Sequence, residues 1–297
     1  MIRCDTATVE RGGRIVVEQA TLAVARGEAA AIVGRSGAGK TSLLAAACAA
    51  IPLHAGDILV EGRSVRREAR AVRGLVGYVP ARMPAWPGIR AAEFLELAAA
   101  RAGLAGPRLR DAVARGLALA GLDSAPQAEI DTLDDGRAKR LLIARAMLHD
   151  PPVVLVDDVF GGLDPFERAE IGRLIGDLQL MDRTVVAAVD DAAVPDCFTH
   201  LVVMAEGRVV AAGANDPAAF TSGNTWRYRL VTRDAGAAAA RLLVARGHEA
   251  EAIDVDVVVC RVGPRRMAAD LVATLVSEGV AVESAGYDPP WPVQLLR

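Results

Sequence analysis

A glycine-rich run near residue 40 carries the residue types that bind nucleotide phosphates. Gly34, Gly37 and Gly39 allow the backbone to curl so that successive N–H groups point inward at phosphate oxygens. Lys40 would reach the β- and γ-phosphates, and the Thr41 hydroxyl would bind Mg²⁺. The predicted nucleotide-binding segment, called the phosphate loop below, comprises Gly34, Arg35, Ser36, Gly37, Ala38, Gly39, Lys40, Thr41 and Ser42.

The segments on either side of this loop are of the kind that would position it. Residues 29–33 form a short apolar run that predicts a buried strand, and residues 40–50 have the pattern of a helix. The helix N-terminus would add unpaired N–H donors and partial positive charge. A glycine-rich turn that merely precedes a helix is the alternative, and the strand, loop and helix order argues against it.

A second chemical feature lies at the end of another apolar strand, predicted at residues 153–158, which closes with Asp157 and Asp158. A triphosphatase with a phosphate loop needs a carboxylate at the end of a neighbouring strand to hold Mg²⁺. Asp157 is therefore the predicted partner of Thr41 at the metal. Apolar strands such as residues 184–189, separated by helices, predict a parallel sheet with both faces covered.

The residues around the Asp157 strand make the assignment more specific. Residues 133–146 read Leu-Asp-Asp-Gly-Arg-Ala-Lys-Arg-Leu-Leu-Ile-Ala-Arg-Ala, and residues 161–164 read Gly-Gly-Leu-Asp. With the phosphate loop and Asp157, they resemble the ATP-binding subunit of ABC transporters over residues 1 to about 215. The resemblance implies ATP and Mg²⁺ as ligands, dimers that sandwich ATP, attachment to a membrane permease, and a dimer loop at Gly162, Leu163 and Asp164.

The departures from the family pattern fall at positions that contact nucleotide. The signature segment, which the resemblance implies would bind the ATP held by a second subunit, consists of Asp134, Asp135, Gly136 and Arg137. Here Asp134 and Asp135 replace the Ser and a Gly of the family, and Arg137 replaces its Gln. Elsewhere Asp158 replaces the catalytic Glu, Asp190 the switch His, Ala81 a Gln, and Arg11 the aromatic residue that stacks on adenine.

These replacements together predict firm binding of Mg·ATP with weak hydrolysis. Two like unit charges about 4 Å apart cost roughly 4 kcal/mol at an effective dielectric of 20, so carboxylates at Asp134 and Asp135 would oppose a γ-phosphate. Capping of the following helix is an alternative or contributing reason for both aspartates. Asp158 has a shorter arm than Glu, and Asp190 accepts hydrogen bonds where a histidine could donate one. Both predicted catalytic positions are therefore degenerate.

The chain divides into a large and a small predicted domain. By the same resemblance, residues 1–215 form an α/β P-loop ATPase core of ABC type, with an antiparallel β subdomain, a parallel sheet and a helical insertion at about 88–148. A linker at 216–226, rich in Asn, Asp, Pro, Gly, Thr and Ser, leads to residues 227–297. Their order of strand, helix, two strands, helix and strand predicts a small α+β ferredoxin-like domain.

Composition limits the partners and the location. The 297 residues carry 34 Lys and Arg against 37 Asp and Glu, a net charge of −3, which offers no positive field for a nucleic-acid backbone. No uninterrupted apolar stretch reaches the roughly 18 residues that span a bilayer. We expect a cytoplasmic protein, peripheral on the inner face of the cell membrane through a permease. The isolated cysteines, which predict reduced thiols, are Cys4, Cys48, Cys197 and Cys260.

The resemblance favours the ATP-energising subunit of a membrane exporter. Its partners would be transmembrane permease subunits and a second ATP-binding subunit, either itself or an intact sibling. An importer with a regulatory tail is the nearest rival. A regulatory or scaffolding nucleotide sensor that binds but hardly hydrolyses ATP is the alternative of another class, and the altered motifs favour it. Soluble ATPases of DNA repair or translation are disfavoured by the acidic charge and the single cassette.

Overall fold

The computed structural model of the chain describes residues 1–84, 86–189, 194–215, 226–262 and 265–287. Of these, residues 1–189 and 195–212 form one compact unit, and residues from 213 onward belong to a second. Asp190 and residues 216–225 of the predicted linker lie outside the described residues. The domain boundaries that we place at 215 and 227 therefore stay a prediction. Within the described ranges, no helix is both long and apolar enough to cross a bilayer.

The first part of the chain alternates strands and helices. In chain order its elements are β1 (Ile2–Arg11), β2 (Arg14–Val24), β3 (Ala29–Val33), α1 (Lys40–Ala47), β4 (Ala55–Val60), β5 (Arg63–Ser64), α2 (Ala69–Leu75), β6 (Val76–Val79), α3 (Ala91–Arg101), α4 (Gly106–Ala120), a 3₁₀ turn (Ile130–Thr132), α5 (Asp135–Met147), β7 (Val153–Val156), α6 (Pro165–Leu180), β8 (Thr184–Val189), β9 (His200–Ala205) and β10 (Arg208–Ala214).

An antiparallel sheet has the order β2-β1-β4-β5, which confirms the predicted antiparallel β subdomain. Its inward side chains alternate with exposed ones, as a sheet with one buried face requires. Helix α1 packs against β1, β2 and β4 and also touches β8. The helix that follows the phosphate loop is therefore held between two sheets.

The second sheet carries the site and has the order β10-β9-β3-β8-β7-β6. Strand β3 pairs in parallel with β8 and β9, and β7 pairs in parallel with β6 and β8. Every residue of β3, β7 and β8 is buried, because these short apolar runs have no face that meets water. The carboxyl ends of β3, β6 and β7 consequently meet at one edge, where the phosphate loop, Ala81 and Asp157 follow them.

The helical insertion is built from α3, α4 and α5, which pack on one another. Helix α4 ends at Gly121 with φ 67°, the left-handed conformation that glycine adopts at a helix end. The helices predicted in this region are confirmed. Helix α2 was not predicted, because it is a single short stretch with Val72 as its one buried residue and shows no apolar period.

The second unit contains β11 (Trp226–Thr232), α7 (Gly236–Ala245), β12 (Glu249–Ala252), β13 (Val257–Val262), α8 (Arg265–Ser277) and β14 (Val282–Tyr287). Its sheet has the order β12-β13-β11-β14, and every pair is antiparallel. This is the ferredoxin-like arrangement that the sequence predicts. The small core of this unit is formed mainly by Leu230, Leu243, Val258, Cys260, Leu271 and Leu275.

Candidate functional site

The phosphate loop joins β3 to α1 and owes its course to close backbone packing. Gly37 and Gly39 have φ angles of 84° and 98°, which side chains rarely allow. A Cβ on Gly39 would lie 2.5 Å from the carbonyl oxygen of Val16, and a Cβ on Gly34 would overlap the carbonyl oxygen of Met204. Glycine is therefore required at these positions, because a side chain would clash with the neighbouring backbone or strain the loop. Without side chains, the N–H groups of the loop stay accessible to phosphate oxygens.

The side chain of Lys40 crosses this loop rather than pointing into solvent. Its Nζ donates hydrogen bonds to the carbonyl oxygens of Gly34 at 2.7 Å and Arg35 at 3.0 Å, and the residue is 6% exposed. The ammonium therefore stabilises the conformation of the loop through these two hydrogen bonds. It lies beside the backbone that would surround the phosphates, and its contact with a triphosphate stays a prediction.

The two predicted metal ligands are in direct contact. Thr41 Oγ1 donates a hydrogen bond of 2.9 Å to Oδ1 of Asp157, which follows β7 and is 4% exposed. Hydroxyl and carboxylate oxygens are the donors that Mg²⁺ prefers, and it commonly takes its remaining ligands from phosphates and water. These residues therefore fit Mg²⁺, and the glycine-walled loop fits the phosphates beside it.

Tyr78 interacts electrostatically with both Asp157 and Arg11. Burial, together with the nearby Asp157 and Cys48, raises the pKa of Tyr78 to about 12, while Arg11 and Arg145 act in the opposite direction. Arg11 is exposed at the end of β1, opposite Arg14 across the hairpin turn. Its guanidinium is exposed to solvent, and a guanidinium group can stack on a planar ring. The role of Arg11 at adenine stays a prediction.

Asp158 has an unusual backbone and side-chain position. Its φ is 45°, in the left-handed region that strains a residue with a side chain. Its carboxylate occupies the space where a Cβ on Gly161 would lie, so that only glycine fits at position 161 without moving Asp158. The predicted catalytic carboxylate therefore leans towards the dimer loop rather than extending freely from the strand end.

The signature segment forms the first turn of α5, and carboxylates of this chain accept hydrogen bonds from two of its amides. Asp134 is the N-cap residue, and its Oδ1 accepts a hydrogen bond of 2.7 Å from the Arg137 amide. The Gly136 amide donates at 3.1 Å to Oε1 of Glu167. The capping reading of Asp134 is thus the one that the structure shows. Asp135 does not cap the helix and instead faces Gly162, whose Cβ would lie 3.0 Å from Asp135 Oδ2.

The dimer loop leads into α6. Gly162 has φ 80°, Leu163 is buried, and Asp164 caps α6 by accepting from the Glu167 amide at 2.8 Å. Glu167 returns a contact by accepting from the Asp164 amide at 2.9 Å, which completes a capping box. The same Glu167 side chain therefore links α6 to the first turn of α5.

Two residues of this region, Glu167 and Lys139, were missed in the sequence. The Asp164 to Glu167 spacing is the capping-box pattern, which could have identified Glu167. Lys139 is 4% exposed, and its Nζ donates to the carbonyl oxygens of Ala81 at 2.9 Å and Asp158 at 2.8 Å. Its place three residues before the buried Leu142, on the inner face of α5, was the available signal. Asp190, the other predicted catalytic residue, lies outside the described residues.

Comparison with known proteins agrees with this geometry. A family model for ABC transporters matches residues 17–161. The Nod factor export ATP-binding protein I of Paraburkholderia xenovorans is 31% identical over 214 residues, which cover 72% of this chain and 70% of that protein. The aliphatic sulfonates import ATP-binding protein SsuB 2 of Frankia alni is 31% identical over 202 residues, covering 67% and 74%. The macrolide export ATP-binding/permease protein MacB 1 of Aeromonas hydrophila is 32% identical, and the match covers 32% of that longer protein.

Solved structures show the same fold. The ATP-binding cassette MJ0796, in a dimeric post-hydrolysis state with ADP and Pi, superposes with a TM-score of 0.64 at 23% identity, over 72% of this chain and 98% of that one. CbiO1 from Clostridium perfringens, part of the transporter complex CbiONQ, gives a TM-score of 0.64 at 24% identity, over 72% and 88%. At these identities the likeness establishes the arrangement of elements.

Proposed function

The chain belongs to the ATP-binding subunits of ABC transporters, and from this premise we propose that it is the energising subunit of a membrane exporter that binds Mg·ATP firmly and hydrolyses it slowly. One observation supports the combination of firm binding and slow hydrolysis. The phosphate loop and the Thr41–Asp157 pair are intact, whereas carboxylates of the same chain accept hydrogen bonds from two amides of the signature segment, those of Gly136 and Arg137.

Binding of the nucleotide falls to residues whose geometry fits it. The amides of the phosphate loop and the Lys40 ammonium would hold the phosphates, and Thr41 and Asp157 would hold the metal. A bound Mg²⁺ would bridge phosphate oxygens and neutralise part of their charge. Arg11 would lie against the base.

Slow hydrolysis follows from the position of Asp158. This residue would act as the base, with an arm one methylene shorter than Glu and a carboxylate that leans on Gly161. A displacement of order 1 Å from the reacting atoms can cost roughly a hundredfold in rate. Asp190, which would face the γ-phosphate, offers an acceptor and no donor at that charge.

The signature segment would weaken the second half of each composite site. We place ATP at a dimer interface, where the phosphates on one subunit would face Asp134, Asp135, Gly136 and Arg137 of the other. Because Asp134 and Glu167 already take the Arg137 and Gly136 amides, these donors have no free hydrogen for a γ-phosphate. A carboxylate about 4 Å from a phosphate charge costs roughly 4 kcal/mol at an effective dielectric of 20. Either self-pairing or pairing with an intact sibling would leave an altered half in every site.

The names of the relatives support export and a permease partner. Nod factor export protein I and MacB 1 are named as export proteins, and SsuB 2 as an import protein, so that an importer is the nearest alternative. The subunit would be held at the inner face of the cell membrane by binding to transmembrane permease subunits.

A nucleotide sensor without transport is the second candidate, and the occupied signature donors favour it. Affinity purification of the tagged chain from its own membranes separates the two. We expect a multi-spanning membrane protein to co-purify at a fixed ratio, and the Lys40→Ala variant to retain that partner. Recovery of the chain in the soluble fraction alone, with no integral membrane protein, would leave the sensor as the function.

A further inference from the structure

Only two of the 34 basic residues of the chain, Lys40 and Lys139, are lysines, and the others are arginines. Both lysines are buried, at 6% and 4% exposure, and each donates to main-chain carbonyl oxygens. Lys40 braces the phosphate loop. Lys139 has no role in the nucleotide contacts proposed above, although it lies next to them.

The contacts of Lys139 join three segments of the chain. Its Cα belongs to α5, in the helical insertion, whereas its Nζ donates to the carbonyl oxygen of Ala81, after β6, and to that of Asp158, after β7. The carbonyl oxygen of Asp157 lies at 3.5 Å from the same nitrogen. An ammonium has three donors, and it directs them at the ends of the two strands that border the site.

A cavity of about 400 Å³ opens beside this ammonium, and its lining includes Ala81, Arg82, Asp135, Lys139, Asp158 and Gly161. Burial lowers the pKa of Lys139, and the carboxylates of Asp158, Asp157 and Asp135 act in the opposite direction. The Lys139 ammonium therefore interacts electrostatically with the three carboxylates that the proposed function assigns to the base, the metal and the signature segment.

We propose that Lys139 is a positioning residue of the nucleotide site, which ties α5 to the ends of β6 and β7 and fixes the backbone that presents Asp157 and Asp158. The proposal rests on the function above and deepens it. The strained φ of 45° at Asp158 supports it, because a backbone held in the left-handed region relaxes unless its surroundings constrain it. The Lys139 hydrogen bond to the Asp158 carbonyl oxygen is such a constraint.

The two-lysine composition gives a direct test. In full-length protein labelled with ¹³C at lysine Cε, two side-chain signals are expected, and the Lys40→Arg variant assigns them. On titration with Mg·ATP, we expect both signals to shift and to saturate at the same concentration. A Lys40 signal that shifts while the Lys139 signal stays fixed would overturn the positioning role. If neither signal moves, nucleotide binding itself fails and the inference falls with it.

Kinetics supply a second arm. Lys139→Met keeps an unbranched apolar arm, one atom shorter than lysine, and removes the charge and the donors, and we expect kcat for ATP hydrolysis to fall about 10- to 100-fold with KM for Mg·ATP within about threefold. Lys139→Arg keeps donors and charge and should recover most of the rate. A folded Lys139→Met protein with unchanged kcat, or equal losses in Lys139→Met and Lys139→Arg, would contradict the proposal. If the Met variant does not fold, Lys139→Gln, which keeps N–H donors on an arm one atom shorter, should show an intermediate loss.

Chemical rescue separates hydrogen bonding from charge. Lys139→Ala leaves space next to the existing cavity, so that methylammonium can enter and donate to the freed carbonyl oxygens. We expect methylammonium to raise kcat of this variant several-fold, and tetramethylammonium, which carries the charge without an N–H donor, to have no effect. Equal rescue by both ions would show that charge alone matters and would overturn the positioning role.

Discussion

The amide of Gly136 donates a hydrogen bond of 3.1 Å to Oε1 of Glu167, so that a donor in the first turn of α5 is paired within its own chain. Asp134 does the same for Arg137 at 2.7 Å. A helix N-terminus with free amides is a ready site for a phosphate, and a carboxylate on those amides is a substitute for it. Two amides at the N-terminus of α5 are therefore already paired with carboxylates of the same chain.

Restoring neutral residues at this terminus should raise turnover. In the Asp134→Ser, Asp135→Gly double variant, the serine still caps α5 while both carboxylates are removed, so we expect kcat to rise about tenfold. Asp134→Asn is the matched control, because it keeps a capping oxygen and loses only one charge. Steady-state hydrolysis with Mg·ATP measures the effect. An unchanged rate in the double variant would show that repulsion at the signature segment does not limit hydrolysis.

Lengthening the catalytic carboxylate should act in the same direction. Asp158→Glu adds one methylene and brings the carboxylate nearer to an attacking water, so we expect kcat to rise about tenfold. Asp158→Asn, which has nearly the same shape and no base, should abolish the residual rate. Equilibrium binding of Mg·ATP should be the same in both variants. A residual rate that survives in Asp158→Asn would assign the base to another residue.

The Thr41–Asp157 contact predicts a metal-specific defect. Asp157→Asn keeps the hydrogen bond that Thr41 can donate and removes the charge that holds Mg²⁺. We expect the gain in ATP affinity on adding Mg²⁺ to shrink by about tenfold, and ATP affinity in EDTA to stay within about threefold. Isothermal titration with and without Mg²⁺ gives both values. Equal weakening under both conditions would place Asp157 at the phosphates rather than at the metal.

The two left-handed glycines of the phosphate loop should differ in their effect on stability. A Cβ at Gly39 would lie 2.5 Å from Val16 O, whereas a Cβ at Gly37 would meet nothing within 4 Å. Gly37→Ala bears only the cost of its φ, about 1 kcal/mol, and Gly39→Ala bears a clash as well, for about 3 kcal/mol in total. Urea denaturation of the full-length variants, followed by circular dichroism, measures both losses in the free energy of unfolding. Equal losses of stability in the two variants would show that the backbone at Val16 can move to relieve the clash.

Local patterns in the sequence, together with the family resemblance, predicted most of the fold. The apolar runs 29–33 and 184–189 predicted strands at the bounds that β3 and β8 have in the structure. The phosphate loop and Asp157 follow strands whose ends must meet in a parallel sheet, so their proximity could also be predicted.

Contacts between distant segments could not be predicted in the same way. Glu167 reaches Gly136 across 31 positions, and Lys139 reaches Ala81 across 58, so no local period records them. The position of the Asp158 carboxylate depends on the missing side chain of Gly161, which only the folded loop reveals. Capping by Asp134 was one of two open readings until the hydrogen bond to Arg137 was seen.

The central claim is that this chain binds Mg·ATP much better than it hydrolyses it. The most direct measurement takes one preparation of the purified full-length chain and determines both the equilibrium affinity for Mg·ATP and the steady-state rate of phosphate release, with Lys40→Ala as the control. We predict saturable binding that Lys40→Ala abolishes, with turnover more than about a hundredfold below that of a cassette with an unaltered base. Rapid turnover that is lost in Lys40→Ala would contradict this account.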